Sequence, residues 1–156
     1  MLIACFMPSL FIASDHGGYQ LKKTIIKFVE NQLEKTITDL GPTEYVETDD
    51  YPDYAIPLAQ KVAENDQNYG ILLCKNGVGV CIAANKIPGI RAGIGYNLMA
   101  AETMKTDDNT NILCLPAKLL SDEHAQAVVR KWLETKFSGE ERHVRRLEKV
   151  AKLETR

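Results

Sequence analysis

Short apolar runs alternate with longer amphipathic segments along this chain, and that alternation restricts the fold more than any single motif. The runs are LFIAS (Leu10 to Ser14), TITDL (Thr36 to Leu40), GILLC (Gly70 to Cys74), IRAGIG (Ile90 to Gly95) and NILCLP (Asn111 to Pro116). Three of them are nearly continuous in apolar residues, as parallel strands covered on both faces require. Between the runs the apolar spacing changes to threes and fours. Leu21, Ile25, Phe28, Val29 and Leu33 form one stripe in the segment from Tyr19, and Leu58, Val62 and Ala63 form another in the segment from Tyr54. A third segment opens on Ser121, a suitable N-cap with acids in its first turn, and a basic-acidic helix is expected from about Glu140 to the end. The pattern predicts an α/β fold, a five-stranded parallel sheet wrapped by helices.

The 156 residues suffice for one domain with one core, and no internal repeat, low-complexity segment or linker divides them. A net charge of −2 gives nucleic acid no bulk attraction, and the late ERHVRRLEKVAK run intersperses acids among its bases. The opening MLIACFMPSLFI is read as an apolar leader over residues 1–9 before the first strand, with Met7 as an alternative start. It lacks a basic n-region, Pro8 interrupts it, and it is too short to cross a bilayer. Cys5, Cys74, Cys81 and Cys114 form no C-x-x-C pair and no zinc pattern, so free thiols in a reducing cytoplasm are expected. Cys5, Cys81 and Cys114 read as small buried hydrophobes.

In open parallel sheets, ligands bind beyond the carboxyl ends of the strands. After the first run stand Asp15 and His16, then Gly17 and Gly18 opening a helix, a polar pair suited to a ligand or, more plainly, a helix cap and a surface imidazole. Before the second helix, Asp50 or Asp53 is placed to cap at Pro52, and Tyr51 either closes over a ligand or anchors the helix start. Cys74 ends the third run, and Gly77 and Gly79 bracket the start of the next helix. Glycines let backbone N–H groups converge, and a helix start adds positive potential. A proton-transferring thiol beside an oxyanion hole fits that combination, and a buried cysteine before an ordinary glycine turn is the bland alternative. Asp107 and Asp108 precede the fifth run and are expected near the site. Arg142 and Arg146, one helical turn apart, suit a phosphate or else surface pairing with Glu141 and Glu148.

Taken together, IASDHGGYQLK, DYPDYA, GILLCKNGVGVCIAANKIPGIRAG, NTNILCLPA and the late RHVRRLEKV resemble the family of type B ribose-5-phosphate isomerases and galactose-6-phosphate isomerases. The resemblance runs from about Leu10 to the last helix. It implies a Rossmann-like three-layer α/β/α fold, a homodimer or homotetramer with shared sites, and residues 138–156 packing on a neighbouring subunit. The implied reaction is the aldose–ketose interconversion of a sugar phosphate through a cis-enediolate, without metal or cofactor. Cys74 matches the proton-transferring base. The N–H groups of Gly77, Val78 and Gly79 match the oxyanion donors. Asp15 matches the contact to the ring oxygen or hydroxyls, and Tyr51 a wall of the sugar pocket. His16, Arg142 and Arg146 match phosphate ligands, the arginines coming from the neighbouring subunit.

Two departures stand out. Many members have histidine and asparagine at the positions of Asp107 and Asp108, and that histidine is credited with opening the sugar ring. They also have glycine, then serine or threonine, at the positions of Lys75 and Asn76. Ring opening therefore falls to Asp107 or Asp15, with Lys75 a candidate partner for Asp107 or Asp108. The expected function is isomerisation of ribose 5-phosphate, with no nucleic-acid or membrane partner. The alternatives are another sugar phosphate (allose, galactose or tetrose) and a partner-dependent, non-catalytic binding subunit. Nucleotide binding is disfavoured, because no Gly-x-Gly-x-x-Gly follows the first strand and no P-loop is present.

Overall fold

The computed structural model describes residues 8–155. Cys5 and all of the apolar leader except Pro8 and Ser9 lie outside them. In chain order the elements are β1 (Leu10–Ser14), α1 (Tyr19–Gln32), β2 (Thr38–Asp39), α2 (Pro52–Ala63), β3 (Tyr69–Cys74), α3 (Val78–Ala84), β4 (Ala92–Ile94), α4 (Leu98–Thr106), β5 (Ile112–Pro116), α5 (Asp122–Glu134) and α6 (Glu141–Ala151), ending in a 3₁₀ turn, Lys152–Thr155. The strands form one parallel sheet in the order β2-β1-β3-β5-β4. The expected α/β/α layering with five parallel strands is what the chain adopts.

Period-two alternation divides the sheet's side chains between two cores. Ile12, Ile71, Leu73, Leu113 and Leu115 pack with the stripe of α1 and with Val128, Val129 and Trp132 of α5. Ala13, Leu72, Cys74, Ile112 and Cys114 face Leu58 and Val62 of α2 and Val80 and Ala84 of α3. Burying one Leu or Ile side chain contributes about 1.5–3 kcal/mol, so these two layers dominate stability.

Several local expectations change. The TITDL run yields only a two-residue strand, Thr38–Asp39, in register with Phe11 and Ile12 of β1, and Thr36 and Thr38 face solvent. The IRAGIG run shortens to Ala92–Ile94. Neither Asp50 nor Asp53 caps α2: Tyr51 is the N-cap, without a side-chain bond, and Pro52 begins the helix. Ser121 does cap α5, accepting the His124 N–H at 3.1 Å. Cys114 is buried as expected, but Cys81 is half-buried and reaches the Ala92 carbonyl at 3.4 Å. Among the described residues no helix is long and apolar enough to cross a membrane.

The amino edge of the sheet is held by an unusual lysine. Lys105 on α4 is 4% exposed and donates to the Thr110 carbonyl at 2.9 Å. Its Nζ lies 3.9 Å from the Tyr69 ring centre and 4.8 Å from that of Trp132, whose indole donates to Thr110 Oγ1. Burial, and secondarily the Arg91 charge, lowers its pKa from 10.5 to about 8. A base depressed on folding binds fewer protons in the folded state between those values, so it makes stability rise with pH across that window. Urea midpoints of wild type should accordingly gain on those of Lys105→Met between about pH 8 and pH 10. Parallel pH profiles of the two proteins would show that this lysine does not titrate as described.

Candidate active site

The strand order reverses direction at β1 and β3, and the carboxyl ends of these two strands carry the site. The Asp15 N–H donates to the Leu73 carbonyl at 3.3 Å, which extends the pairing one residue beyond β1. The turn then folds back hard on β3. A Cβ on Gly18 would stand 2.5 Å from Leu73 Cβ and 2.8 Å from the Leu73 carbonyl, so only glycine fits there. Overpacking of this kind costs about 1–3 kcal/mol even when neighbours can move, and backbone moves poorly. Asp15 is 7% exposed, and its Oδ1 accepts the Gly18 N–H at 3.2 Å. Burial raises its pKa, outweighing the Gly18 bond and the His16 charge, which act the other way.

Cys74 closes β3 with its thiol on the α2–α3 side, and the residue is only 4% exposed. Its Sγ accepts the Gly77 N–H at 3.2 Å and lies 3.8 Å from Asn76 Oδ1. Asn76 Oδ1 also takes the Val78 N–H at 3.0 Å. Two of the three amides expected to form the oxyanion hole are therefore engaged within the turn. Gly79 and Val80, also in the first turn of α3, have no intrahelical acceptor. Gly77 has φ +75°, a left-handed conformation that favours glycine, and a Cβ there would meet Pro116 N at 3.2 Å. A Cβ on Gly79 would come within 2.9 Å of the Tyr51 ring, so Tyr51 lies directly over the turn, 39% exposed. The end of β5 is tied to the same turn, with Ala117 N–H on the Cys74 carbonyl and Lys118 N–H on that of Lys75.

His16 faces the other side of the turn. Its backbone N–H and its ring Nδ1 both reach Asp49 Oδ1, at 3.0 and 2.7 Å. Beside it opens a groove of about 560 Å³, lined by His16, Gln20, Tyr45, Glu47, Lys75 and Lys118. Two lysines and an imidazole against the Glu47 carboxylate make this groove receptive to an anion. Among the described residues no group of three or more His, Cys, Asp and Glu side chains is placed to hold a metal ion.

The remaining residues stand elsewhere. Asp107 and Asp108 follow α4, which returns the chain to the amino edge of the sheet. Pro116 at the other end of β5 is the residue that pairs with Cys74. The four steps of β5 alone span roughly 13 Å at about 3.3 Å per residue. Within one chain these carboxylates are therefore not beside the thiol, against expectation, and no hydrogen bond or ion pair joins Lys75 to either of them. Asp107 instead accepts from Thr106 Oγ1 at 2.7 Å and lies 3.8 Å from Nδ1 of the buried His143. His143 also contacts Ser138 Oγ at 2.8 Å, and the Ser138 N–H reaches the Thr106 carbonyl, which docks the start of α6 on this edge. Arg142 and Arg146 are exposed, and Arg142 pairs with Glu140 at 2.8 Å rather than with Glu141 or Glu148.

The sequence reading missed two residues. Lys118 comes two positions after the fifth run, where a carboxyl-end rule points, and no motif marked it. Asp49 lies among several acids, and nothing in the loop's composition tells which one turns inward.

The family model described as Ribose/Galactose Isomerase matches residues 10–150. A probable ribose-5-phosphate isomerase B of Mycoplasma pneumoniae is 43% identical over 141 residues, covering 90% of this chain and 91% of that protein. A D-erythrulose-4-phosphate isomerase of Pectobacterium atrosepticum is 34% identical over 133 residues, 85% of this chain and 87% of that protein. The crystal structure of ribose-5-phosphate isomerase B from Mycoplasma genitalium, with bound ribulose-5-phosphate, superposes with a TM-score of 0.90 at 40% identity, covering 94% of this chain and 96% of that one. Fold, strand-end residues and relatives agree: the chain belongs to the ribose/galactose isomerase family and is a sugar-phosphate isomerase of the aldose–ketose class related to ribose-5-phosphate isomerase B.

Proposed function

We propose that this enzyme interconverts ribose 5-phosphate and ribulose 5-phosphate, with Cys74 as the proton-transferring base. The observation that carries the reading is the convergence, at the β1–β3 ends, of Asp15, Tyr51 and the Cys74–Gly79 turn beside the basic groove. Moving hydrogen between adjacent carbons needs one base that returns what it takes and donors for a charge that exists only in transit. In this reading the Cys74 sulfur takes the C2 proton of the open-chain aldose, the C1 carbonyl electrons move onto O1 to give the cis-enediolate, the hydroxyl proton passes from O2 to O1, and the sulfur returns its proton to C1 as the ketose carbonyl forms at C2. The amides of Gly77, Val78 and Gly79 hold the developing oxyanion, Val78 exchanging Asn76 Oδ1 for substrate. Tyr51 walls the sugar. His16 and Lys75, joined by Lys118, receive the phosphate.

Asp107, Asp108, Arg142 and Arg146 lie at the opposite sheet edge, and so they serve the site of a second copy in a homodimer or larger assembly. Arg142 and Arg146 add to the phosphate grip there. Asp15 is the ring-opening acid within the chain: a carboxyl whose pKa burial has raised is the better proton donor to a ring oxygen. Asp107 of the neighbouring copy is the other candidate. A tetrose 4-phosphate is the rival substrate. Its O4 carries the phosphate, so it needs no opening of a five-membered ring, and the relative at 34% identity bears the name of such an enzyme.

Purified protein without any partner should convert ribose 5-phosphate to ketose, and Cys74→Ala should lower kcat about 10³-fold, in the range that loss of a general base produces. Undiminished turnover by that variant would remove the thiol from the mechanism. Asp15→Asn should lose activity yet melt at a higher temperature at pH 7, because it deletes a carboxyl whose raised pKa makes its ionisation a cost to the folded state. That gain should vanish in acid, below the unfolded aspartate range, where wild type is protonated as well. Mixing inactive Cys74→Ala with inactive Arg142→Ala/Arg146→Ala should regain about a quarter of wild-type activity through hybrid dimers that hold one intact site. No regain would mean that each chain builds its site alone.

A further inference from the structure

The loop between β2 and α2 buries one carboxylate against the turn that carries His16. Asp49 is followed by Asp50, which faces solvent, and among these loop acids it is Asp49 whose side chain is only 6% exposed. Its Oδ1 accepts twice from one residue, from the His16 backbone N–H at 3.0 Å and from ring Nδ1 at 2.7 Å. The backbone bond alone would pin the loop to the turn. The ring bond does something further: it keeps a proton on Nδ1, prevents the imidazole from flipping, and leaves Nε2 as the one ring nitrogen open to a ligand. Asp49 Oδ2 is meanwhile buried without a hydrogen bond of good geometry, beside a Tyr54 hydroxyl that burial and the Asp49 charge make harder to ionise. A half-satisfied buried carboxylate is an expensive way to order a loop.

We propose that Asp49 is a positioning residue for substrate phosphate. It acts through His16, whose Nε2 it presents to the groove shared with Lys75 and Lys118. A phosphate bound at Nε2 requires a proton there as well, and Asp49 balances the resulting imidazolium from the far side of the ring. The inference rests on reading this groove as the phosphate end of a sugar-phosphate site. Cys74 takes no part in it, and Asp49 reaches Asp15 only through its charge, the smallest of the causes acting on that carboxyl: Asp49 should govern mainly how tightly the substrate is held rather than how fast the proton moves.

Inorganic phosphate is a suitable probe, because it needs no turnover. In ¹⁵N–¹H spectra of wild type, the His16 ring should be protonated at Nδ1 before phosphate is added and should show its change at Nε2 on titration. Asp49→Ala should shift the ring toward the Nε2–H tautomer and weaken phosphate about tenfold, as loss of a partner that orients a ligating histidine does elsewhere. With ribose 5-phosphate, KM should rise by a similar factor and kcat should stay within about threefold of wild type. Asp49→Asn, which keeps an acceptor and loses the charge, should fall between the two and covers the case in which alanine unfolds the loop. The double variant Asp49→Ala/His16→Asn should bind phosphate no more weakly than His16→Asn alone. Additive losses, an unchanged ring tautomer, or unaltered phosphate affinity despite an altered ring would each overturn the positioning role. Phosphate binding with this pattern in a protein that does not convert ribose 5-phosphate would sink the proposed substrate and leave this inference standing.

Discussion

β1 and β3 pair along their whole length, from Leu10 opposite Tyr69 to Ser14 opposite Leu73, and the site depends on that pairing. A parallel pair brings two carboxyl ends to one place, so the residues just past each strand must share a small volume. Asp15 leaves β1 there and Cys74 ends β3 there. The Gly18–Leu73 contact sets how closely the two turns approach. A side chain at position 18 would push α1 away from the sheet and open the floor beneath Asp15. The geometry of the candidate site is thus inherited from strand register, with glycines supplying the clearance.

The opposite sheet edge obeys the same logic with different contents. Chain direction sends α4 and α5 back to the amino ends of the strands, so the segments after these helices collect there and bring Asp107, Asp108, Ser138 and the start of α6 together. Lys105 is stacked between Tyr69 and Trp132 and stiffens this edge, while His143 links α6 to Asp107. Arg142 and Arg146 extend outward from the same helix, exposed to another molecule. Within one chain, therefore, α6 and its arginines stand at the amino ends of the strands, while the thiol stands at the carboxyl end of β3.

Much of this was legible beforehand. Apolar runs with period two and stripes with period near 3.6 reported the five strands and the helices, because burial on a sheet face or a helix face imposes those periods wherever they occur. Asp15, Cys74 and the glycines of the α3 turn were legible as positions for a related reason, since they stand where strands end, and Tyr51 because it precedes the Pro52 that opens α2. The misjudged positions are of another kind. The second strand shrank because a polar run at a sheet edge has a single partner and little to bury. Cys81 proved half-buried, on the short α3, with its thiol reaching the Ala92 carbonyl of β4. Asp50 and Asp53 look like caps by type and position, yet the loop enters α2 through Tyr51 and Pro52, with Asp49 drawn inward instead.

By itself the order of residues determined the layer architecture, the strand ends and the kinds of groups placed at them, because those arise from local periodicity and from stereochemistry that glycine and proline impose. Only the tertiary structure decided which groups meet. Asp49 reaches His16 across 33 positions of chain, and Lys118 joins a groove begun by residues far earlier in the chain. Asp107 lies far from the thiol although both flank strands that are sheet neighbours. Such distances depend on the direction in which each element crosses the sheet and on which neighbour it packs against, and no window of sequence contains either.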